Sequence, residues 1–296
     1  MSAVAPAPRI SLQPSGRLRR RRIVNRIMEG VGTGAALVAV GVLVLVIVSV
    51  AVRAAPALSW DFLTKPPNLF GGPGGGISSA IVGSGLIVLT ATAMALPLGV
   101  LIAIYLTEFA PRAAAAPIQL VLDVLNGLPT IVTGIFVYGL LVIGHAQSAF
   151  AGAFALGIVM LPLVARAAQE TLLLVPPALR EGSLALGVSR WRAVLGVILP
   201  TTFGGFLTGA VLAVARAAGE TAPLLFTTSI FNPSVSTDIT HALPNIPVLI
   251  FTYSEQPDKA LHEQAWGAAL VLMAFVLIAS LAAKALLARS RRKLGP

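Results

Sequence analysis

From residue 30 to residue 52 the chain runs without a charged side chain, and no other feature restricts its possible folds as strongly. About 20 apolar residues in helical conformation cross the roughly 30 Å hydrocarbon layer of a bilayer. Inside that layer each backbone N–H and C=O must be satisfied within the protein, and runs of this length meet the requirement as α-helices. Six such segments are read, at 30–52, 77–106, 117–143, 150–174, 201–226 and 265–287. The predicted fold class is an all-α polytopic membrane protein with six transmembrane helices. Composition agrees, since 56% of the 296 residues are hydrophobic and 11% charged, which is too apolar for an ordinary soluble domain. Cysteine is absent, which removes disulfide frameworks, thiolate catalysis and Cys-based metal sites.

The net charge of +10 would suggest nucleic acid in a soluble protein, but its placement points to a membrane. Arg9, Arg17, Arg19, Arg20, Arg21, Arg22 and Arg26 crowd the N-terminal tail, and Lys284, Arg289, Arg291, Arg292 and Lys293 end the chain. Both clusters abut apolar segments, which is the positive-inside pattern. Nucleic-acid recognition needs a basic face on a soluble module, so no nucleic acid partner is expected. An even number of spans puts both termini on one side, and the Arg tails make that side the cytoplasm. The loops near 108–112 and 175–200 then fall inside; those at 53–76, 144–149 and 227–264 fall outside. On this topology sixteen of the 21 basic residues are cytoplasmic, and only Arg53, Lys65 and Lys259 are external. The expected location is the cytoplasmic membrane, with the first segment too long for a signal-peptide core and read as an uncleaved anchor.

Ionisable residues inside spans are costly and mark functional sites by default. Four stand out: Asp123, Arg166, Arg216 and Glu220, whereas Glu170 lies near the membrane surface. Arg216 and Glu220 stand four apart and share a helix face. Arg166 has no obvious partner on its own helix, and Asp123 reads as an interfacial residue of a helix begun by Pro117. Two readings stay open: ion pairs that knit helices together, or arginines lining the path of an anion, whose oxygens match the guanidinium fork. Two Arg and one Glu would leave net positive charge in such a path. Pro97, Pro129 and Pro162 inside spans read as packing features rather than hinges, and Gly205 with Gly209 suits close helix approach.

Between the fourth and fifth segments lies a polar interruption, Arg180-Glu181-Gly182-Ser183 through Gly187, closed by Val197-Ile198-Leu199-Pro200. It fits an amphipathic helix lying at the lipid surface or a short helix docked into a partner, with Gly187 marking a bend. No motor accompanies it, because no lysine follows a glycine as a P-loop requires. The run Gly71-Gly72-Pro73-Gly74-Gly75-Gly76 lacks a lysine and reads as an external loop. His145, His241 and His262 lack metal-ligand spacing, and no nucleophile–base constellation appears. No enzyme activity, cofactor or metal site is expected of this chain.

Glu181, Gly187 and Leu199-Pro200 resemble the EAA loop of bacterial ABC importer permeases, with departures at Gly182, Ser183 and Val197. The run Ala215-Arg216-Ala217-Ala218-Gly219-Glu220-Thr221-Ala222-Pro223-Leu224-Leu225-Phe226-Thr227 is similar to the fifth-helix signature of the phosphate-specific permeases of the A type (PstA). Leu96-Pro97-Leu98-Gly99-Val100, Ile104-Tyr105-Leu106-Thr107-Glu108, Gly127-Leu128-Pro129-Thr130-Ile131-Val132, Leu161-Pro162 and Leu174-Val175-Pro176 fit the same family. The resemblance covers roughly 74–226 and resumes near Trp266.

It implies an ABC importer permease fold with a cytoplasmic coupling helix, and inorganic phosphate as cargo. It also implies a sister permease, two copies of a cytoplasmic ATPase subunit that hydrolyse ATP with Mg, and an extracytoplasmic phosphate-binding protein. Arg166, Arg216, Glu220 and Thr221 would carry over as the substrate path, and Arg180, Glu181 and Gly187 as the ATPase coupling element. The chain then divides into a cytoplasmic Arg-rich tail (1–29), a first helix and external loop (30–76), a permease core (77–288, coupling loop about 176–200) and a basic tail (289–296). A permease for another oxyanion, such as molybdate or sulfate, is the alternative, which the fifth-helix run disfavours. A secondary anion transporter is less favoured, because no internal repeat is evident.

Overall fold

The computed structural model describes residues 16–68, 75–229 and 234–293. Most of the glycine run 71–76 and the outermost residues of both tails lie outside the described residues. Among the described residues there is no β-strand. Contacts divide the chain into two bodies after Val52. In the first, α1 (Gly16–Ala54) joins Arg19–Arg22 and the apolar segment 30–52 in one continuous helix, and that apolar stretch is unburied.

The second body begins with the short α2 (Trp60–Thr64), capped by Ser59, whose Oγ accepts from the Phe62 N–H. It continues with α3 (Ser78–Ile104), extended by a π-helical turn, Tyr105–Phe109. Along α3 every fourth residue from Gly83 to Ala103 is buried: Gly83, Ile87, Ala91, Ala95, Gly99 and Ala103. Such an i+4 row of mostly small side chains is a ridge that lets another helix approach closely.

The chain then forms α4 (Arg112–Gly127) and α5 (Thr130–Val137), the latter extended by a π-turn, Tyr138–Val142. The third segment was expected as one helix over 117–143; instead it is bent by 98°. Pro129 is the cause. It has no N–H to continue the ladder and forces the preceding residue out of the helical region, and Leu128 accordingly has ψ 134. Pro97 and Pro162, by contrast, lie inside continuous helices. The helix also starts at Arg112, so Pro117 sits within it rather than beginning it.

α6 (Ala149–Leu173) answers the α3 ridge with its own buried row, Gly152, Leu156, Met160, Val164, Ala168 and Leu172. Gly99 faces Val164 and Gly157 faces the Ala91 carbonyl, so α3 and α6 run parallel. Because α4 and α5 connect the end of one to the start of the other, the bent pair must traverse the bundle. It is the sixth span beside the five helices long and apolar enough to cross alone.

The polar interruption folds as α7 (Pro177–Ala185) and α8 (Arg190–Ala193), and a π-turn, Val194–Ile198, leads into α9 (Leu199–Ala218). α9 runs antiparallel to α6, with Gly205 against Thr171 and Gly209 against Ala167, which is the close approach the glycine spacing implied. The fifth segment was expected to continue to 226, but α9 stops at Ala218 and the chain restarts as α10 (Ala222–Thr227). Pro223 sits in the first turn of α10, where its missing N–H costs nothing.

The stretch 227–264, expected as an external loop, is largely built into the bundle. Carbonyls of Thr227, Ile239 and His241 accept the N–H groups of Ser148, Phe150 and Ala149 at the otherwise unsatisfied start of α6. Beside them Thr240, through its hydroxyl and then its N–H, and His241 hold the Asp238 carboxyl below its usual range. α11 (Ile246–Ser254) follows, capped by the fully buried Asn245, and its Ile246 N–H donates to Ser84 Oγ at 2.8 Å. α12 (Lys259–Lys293) closes the fold.

A Cβ on residue 205 would lie 2.2 Å from Thr171 Cγ2. Gly205→Ala should therefore destabilise the chain by about 1–3 kcal/mol. Thermal unfolding in detergent checks this, and Thr171→Ala in the same chain should restore most of the loss.

Candidate functional site

Two charged clusters lie in the bundle. On α6, half-buried Arg166 pairs through Nη2 with Asp123 Oδ1 of α4, donates from Nη1 to Gln169 Oε1 at 3.2 Å, and reaches the Gln119 carbonyl at 3.5 Å. Arg166 thus has both a neighbour on its own helix and a counter-ion, contrary to expectation. Asp123, read as merely interfacial, is that counter-ion. Forty-three residues separate the two in sequence, and only the packing of α4 on α6 brings them together.

The second cluster is Arg216 with Glu220, Nε to Oε1 at 3.9 Å. The expected i, i+4 pairing is present, but in a different setting. Arg216 occupies the last turn of α9, where a cation suits the helix dipole. Glu220 lies past the helix end in the break formed by Gly219 and Thr221. The pairing is loose: the Arg216 side chain is 63% exposed and that of Glu220 17%. Thr221 supplies its carbonyl to the Leu224 and Leu225 N–H groups, and its hydroxyl caps nothing.

The two arginines are not brought together. With Gly209 opposite Ala167 on antiparallel helices, Arg216 stands level with residue 160, about 9 Å along the axis from Arg166 at 1.5 Å per residue. Each has its own carboxylate, so the expected net positive charge of the set is cancelled by Asp123. An anion entering either cluster must compete with a carboxylate already there.

The helices that follow the two breaks pack on each other, with Gly134 of α5 directly against Pro223 of α10. Irregular backbone at membrane depth is tolerated where protein or a water-filled cavity surrounds it.

At the far end of the bundle, α7 buries none of its nine residues. Arg180, one of the expected coupling residues, turns inward. Its Nε and Nη2 donate to Glu108 Oε1 at 3.0 and 2.9 Å, and Nη1 and Nη2 donate to the Val175 and Leu172 carbonyls at 2.8 Å each. Glu108, only 7% exposed, sits in the π-turn after α3. In the sequence it closes the run Ile104–Glu108 at the loop near 108–112, and nothing there marks it as the partner of Arg180. Glu181, by contrast, is exposed and has no side-chain partner among the described residues.

Gly187 has φ +75 with open space around it, and the N–H groups of Gly187 and Val188 bond back to the Leu184 and Ser183 carbonyls. It is a left-handed helix stop. The bend read from sequence is there. Leu184, Leu186 and Trp191 around it are exposed. Among the described residues no group of three or more His, Cys, Asp or Glu is placed to hold a metal ion.

Gly187→Ala forces an L-residue into the left-handed region at about 1–2 kcal/mol. The expected result is faster limited proteolysis between residues 176 and 200, with the melting temperature of the bundle little changed.

Comparison with known proteins adds family context. Residues 95–292 match the family described as binding-protein-dependent transport system inner membrane component. The phosphate transport system permease protein PstA of Yersinia pestis is 40% identical over 231 residues, 77% of each chain. That of Xylella fastidiosa (strain 9a5c) is 39% identical over 92% of this chain and 96% of its own. PstA 1 of Mycobacterium tuberculosis (strain H37Rv) is 39% identical over 74% and 73%. Among solved structures, the inward-facing MetNI methionine ABC transporter superposes with TM-score 0.57 at 16% identity, covering 72% of this chain and 94% of that one. At that identity the likeness is one of fold.

Proposed function

Because the chain belongs to the binding-protein-dependent transport system inner membrane components, and within them to the phosphate permeases, we propose how its residues move phosphate. The chain is a permease subunit of a phosphate ABC importer. It forms half of the translocation path, with Arg166, Arg216, Glu220 and Thr221 meeting the anion.

The loosely held Arg216 carries this reading. A guanidinium on an apolar helix, 3.9 Å from its carboxylate and largely exposed beside a helix break, keeps donors open for an oxyanion. Its planar fork fits phosphate oxygens in pairs. Glu220 holds Arg216 while the path is empty and yields it when phosphate arrives. Arg166, about 9 Å deeper along α6, makes the next station, with Asp123 in the role of Glu220.

The two Arg-rich tails support a cytoplasmic location for both ends of the chain. α7 and α8 then lie on the cytoplasmic side, where one of two ATPase subunits docks on Glu181 and the exposed Leu184, Leu186 and Trp191. ATP and Mg bind to those subunits; no P-loop exists in this sequence. A sister permease completes the path, and an extracytoplasmic binding protein delivers phosphate to the opposite face.

The test is phosphate uptake by the complete complex in proteoliposomes. Arg166→Gln and Arg216→Gln should each lower uptake about 10- to 100-fold, the worth of a charge-assisted hydrogen bond to the cargo. The ATPase subunit should still co-purify. Full uptake by Arg216→Gln would refute this assignment.

A further inference from the structure

Nothing in α7 is buried, yet this helix must pass force into the membrane if a motor docks on it. Among the described residues, the side-chain hydrogen bonds from α7 to the rest of the bundle all come from Arg180. Arg180 directs three guanidinium nitrogens at three acceptors on two other segments: the Glu108 carboxylate after α3, the Leu172 carbonyl in the last turn of α6, and the Val175 carbonyl just beyond. Charge-assisted, forked bonds of this kind are short and directional, so they resist sliding and rotation where an apolar contact would not.

Glu108 is built to receive them. It is almost fully buried and lies in a π-turn, an arrangement that adds a residue to the helix and is often found at functional sites. A buried carboxylate without its cation would be left uncompensated at high cost, so the pair is held closed. The helices it grips bear the rest of the machinery. α6 carries Arg166 less than two turns before Leu172. α3 packs along α6 through the row Gly83 to Ala103, so a displacement entering at Glu108 reaches both members of the central pair.

We propose that Glu108 and Arg180 form a transmission latch, with Glu108 as the positioning residue through which motion of α7 reaches α3 and α6. The inference rests on the reading of α7 as the ATPase docking element. It assigns Arg180 to the interior of the permease and leaves Glu181 as the residue offered to the motor.

The test uses the complete reconstituted complex and reads three quantities: ATPase subunit retained, ATP hydrolysed, and phosphate transported per ATP. Glu108→Gln keeps the shape and removes the charge. The complex should assemble and hydrolyse ATP while phosphate moved per ATP falls severalfold. Arg180→Lys, which keeps the charge but loses the fork, should fall between this variant and the native chain. A native transport ratio in Glu108→Gln overturns the latch.

Should Glu108→Gln not assemble, hydrogen exchange on the native complex decides. Trapping the ATPase in its nucleotide-bound state should change protection of α7, of 172–175 and of 105–109 together. Change in α7 alone overturns the proposal. Glu181→Lys separates the two readings: if the ATPase subunit remains bound to that variant, the docking assignment fails whatever the latch variants show.

Discussion

The close parallel packing of α3 on α6 is the interaction on which the remaining architecture depends. Hydrophobic transfer gives little drive to helix association in lipid, so tight contact must come from backbones that approach closely. The row Gly83, Ile87, Ala91, Ala95, Gly99, Ala103 supplies that surface. Once two consecutive long helices lie parallel, the chain between them has to recross the whole bundle. That requirement makes α4 and α5 a single traverse despite their 98° bend. The same pair fixes both ends: the start of α6 receives the carbonyls of 227–241, and its last turn receives Arg180. The core cluster of α3, α6, α9, α10 and α11 residues forms around it.

Much of this was legible in the sequence because the bilayer converts a long apolar run into a helix with few alternatives. The number of spans, the polar break after the fourth, and the tight Gly205–Gly209 contact follow from local pattern. Two classes of feature did not. Proline alone does not tell whether a helix breaks: Pro97 and Pro162 are absorbed in continuous helices, while at Pro129 the chain bends by 98°. And the apolar run 246–251, too short to span, gave no sign that α11 would pack back into the bundle beside Asn245.

For the charged residues, residue type was readable and partnership was not. Arg166, Arg216 and Glu220 stand out on cost alone. Asp123 lies 43 residues from Arg166 and Glu108 lies 72 from Arg180, and no periodicity links such pairs. The consequence is chemical rather than cosmetic. With Asp123 included, the two arginines are matched by two carboxylates. On the proposed path, selectivity for an anion would then come from exchange of one oxyanion for another, and arginines already occupied by carboxylates would release cargo as readily as they accept it.

The position of the two helix breaks sharpens that point. Gly134 of α5 packs on Pro223 of α10, and of the second charge pair Arg216 precedes the 219–221 break while Glu220 lies within it. A carboxylate held in a continuous helix would keep a fixed register with the arginine four residues before it. Glu220 is instead past the end of α9, on a glycine-flanked turn whose dihedrals change at little cost. Of the two arginine clusters, the one at this break has the looser contact, 3.9 Å. The pair that crosses two intact helical segments, Arg166 with Asp123, is closely engaged and buttressed by Gln169 and the Gln119 carbonyl. On the proposed path, backbone discontinuity would thus grade the two stations: the cation beside the break is the more loosely held, and the cation on the unbroken helix, tied through α6 to Arg180, would yield only when that helix moves.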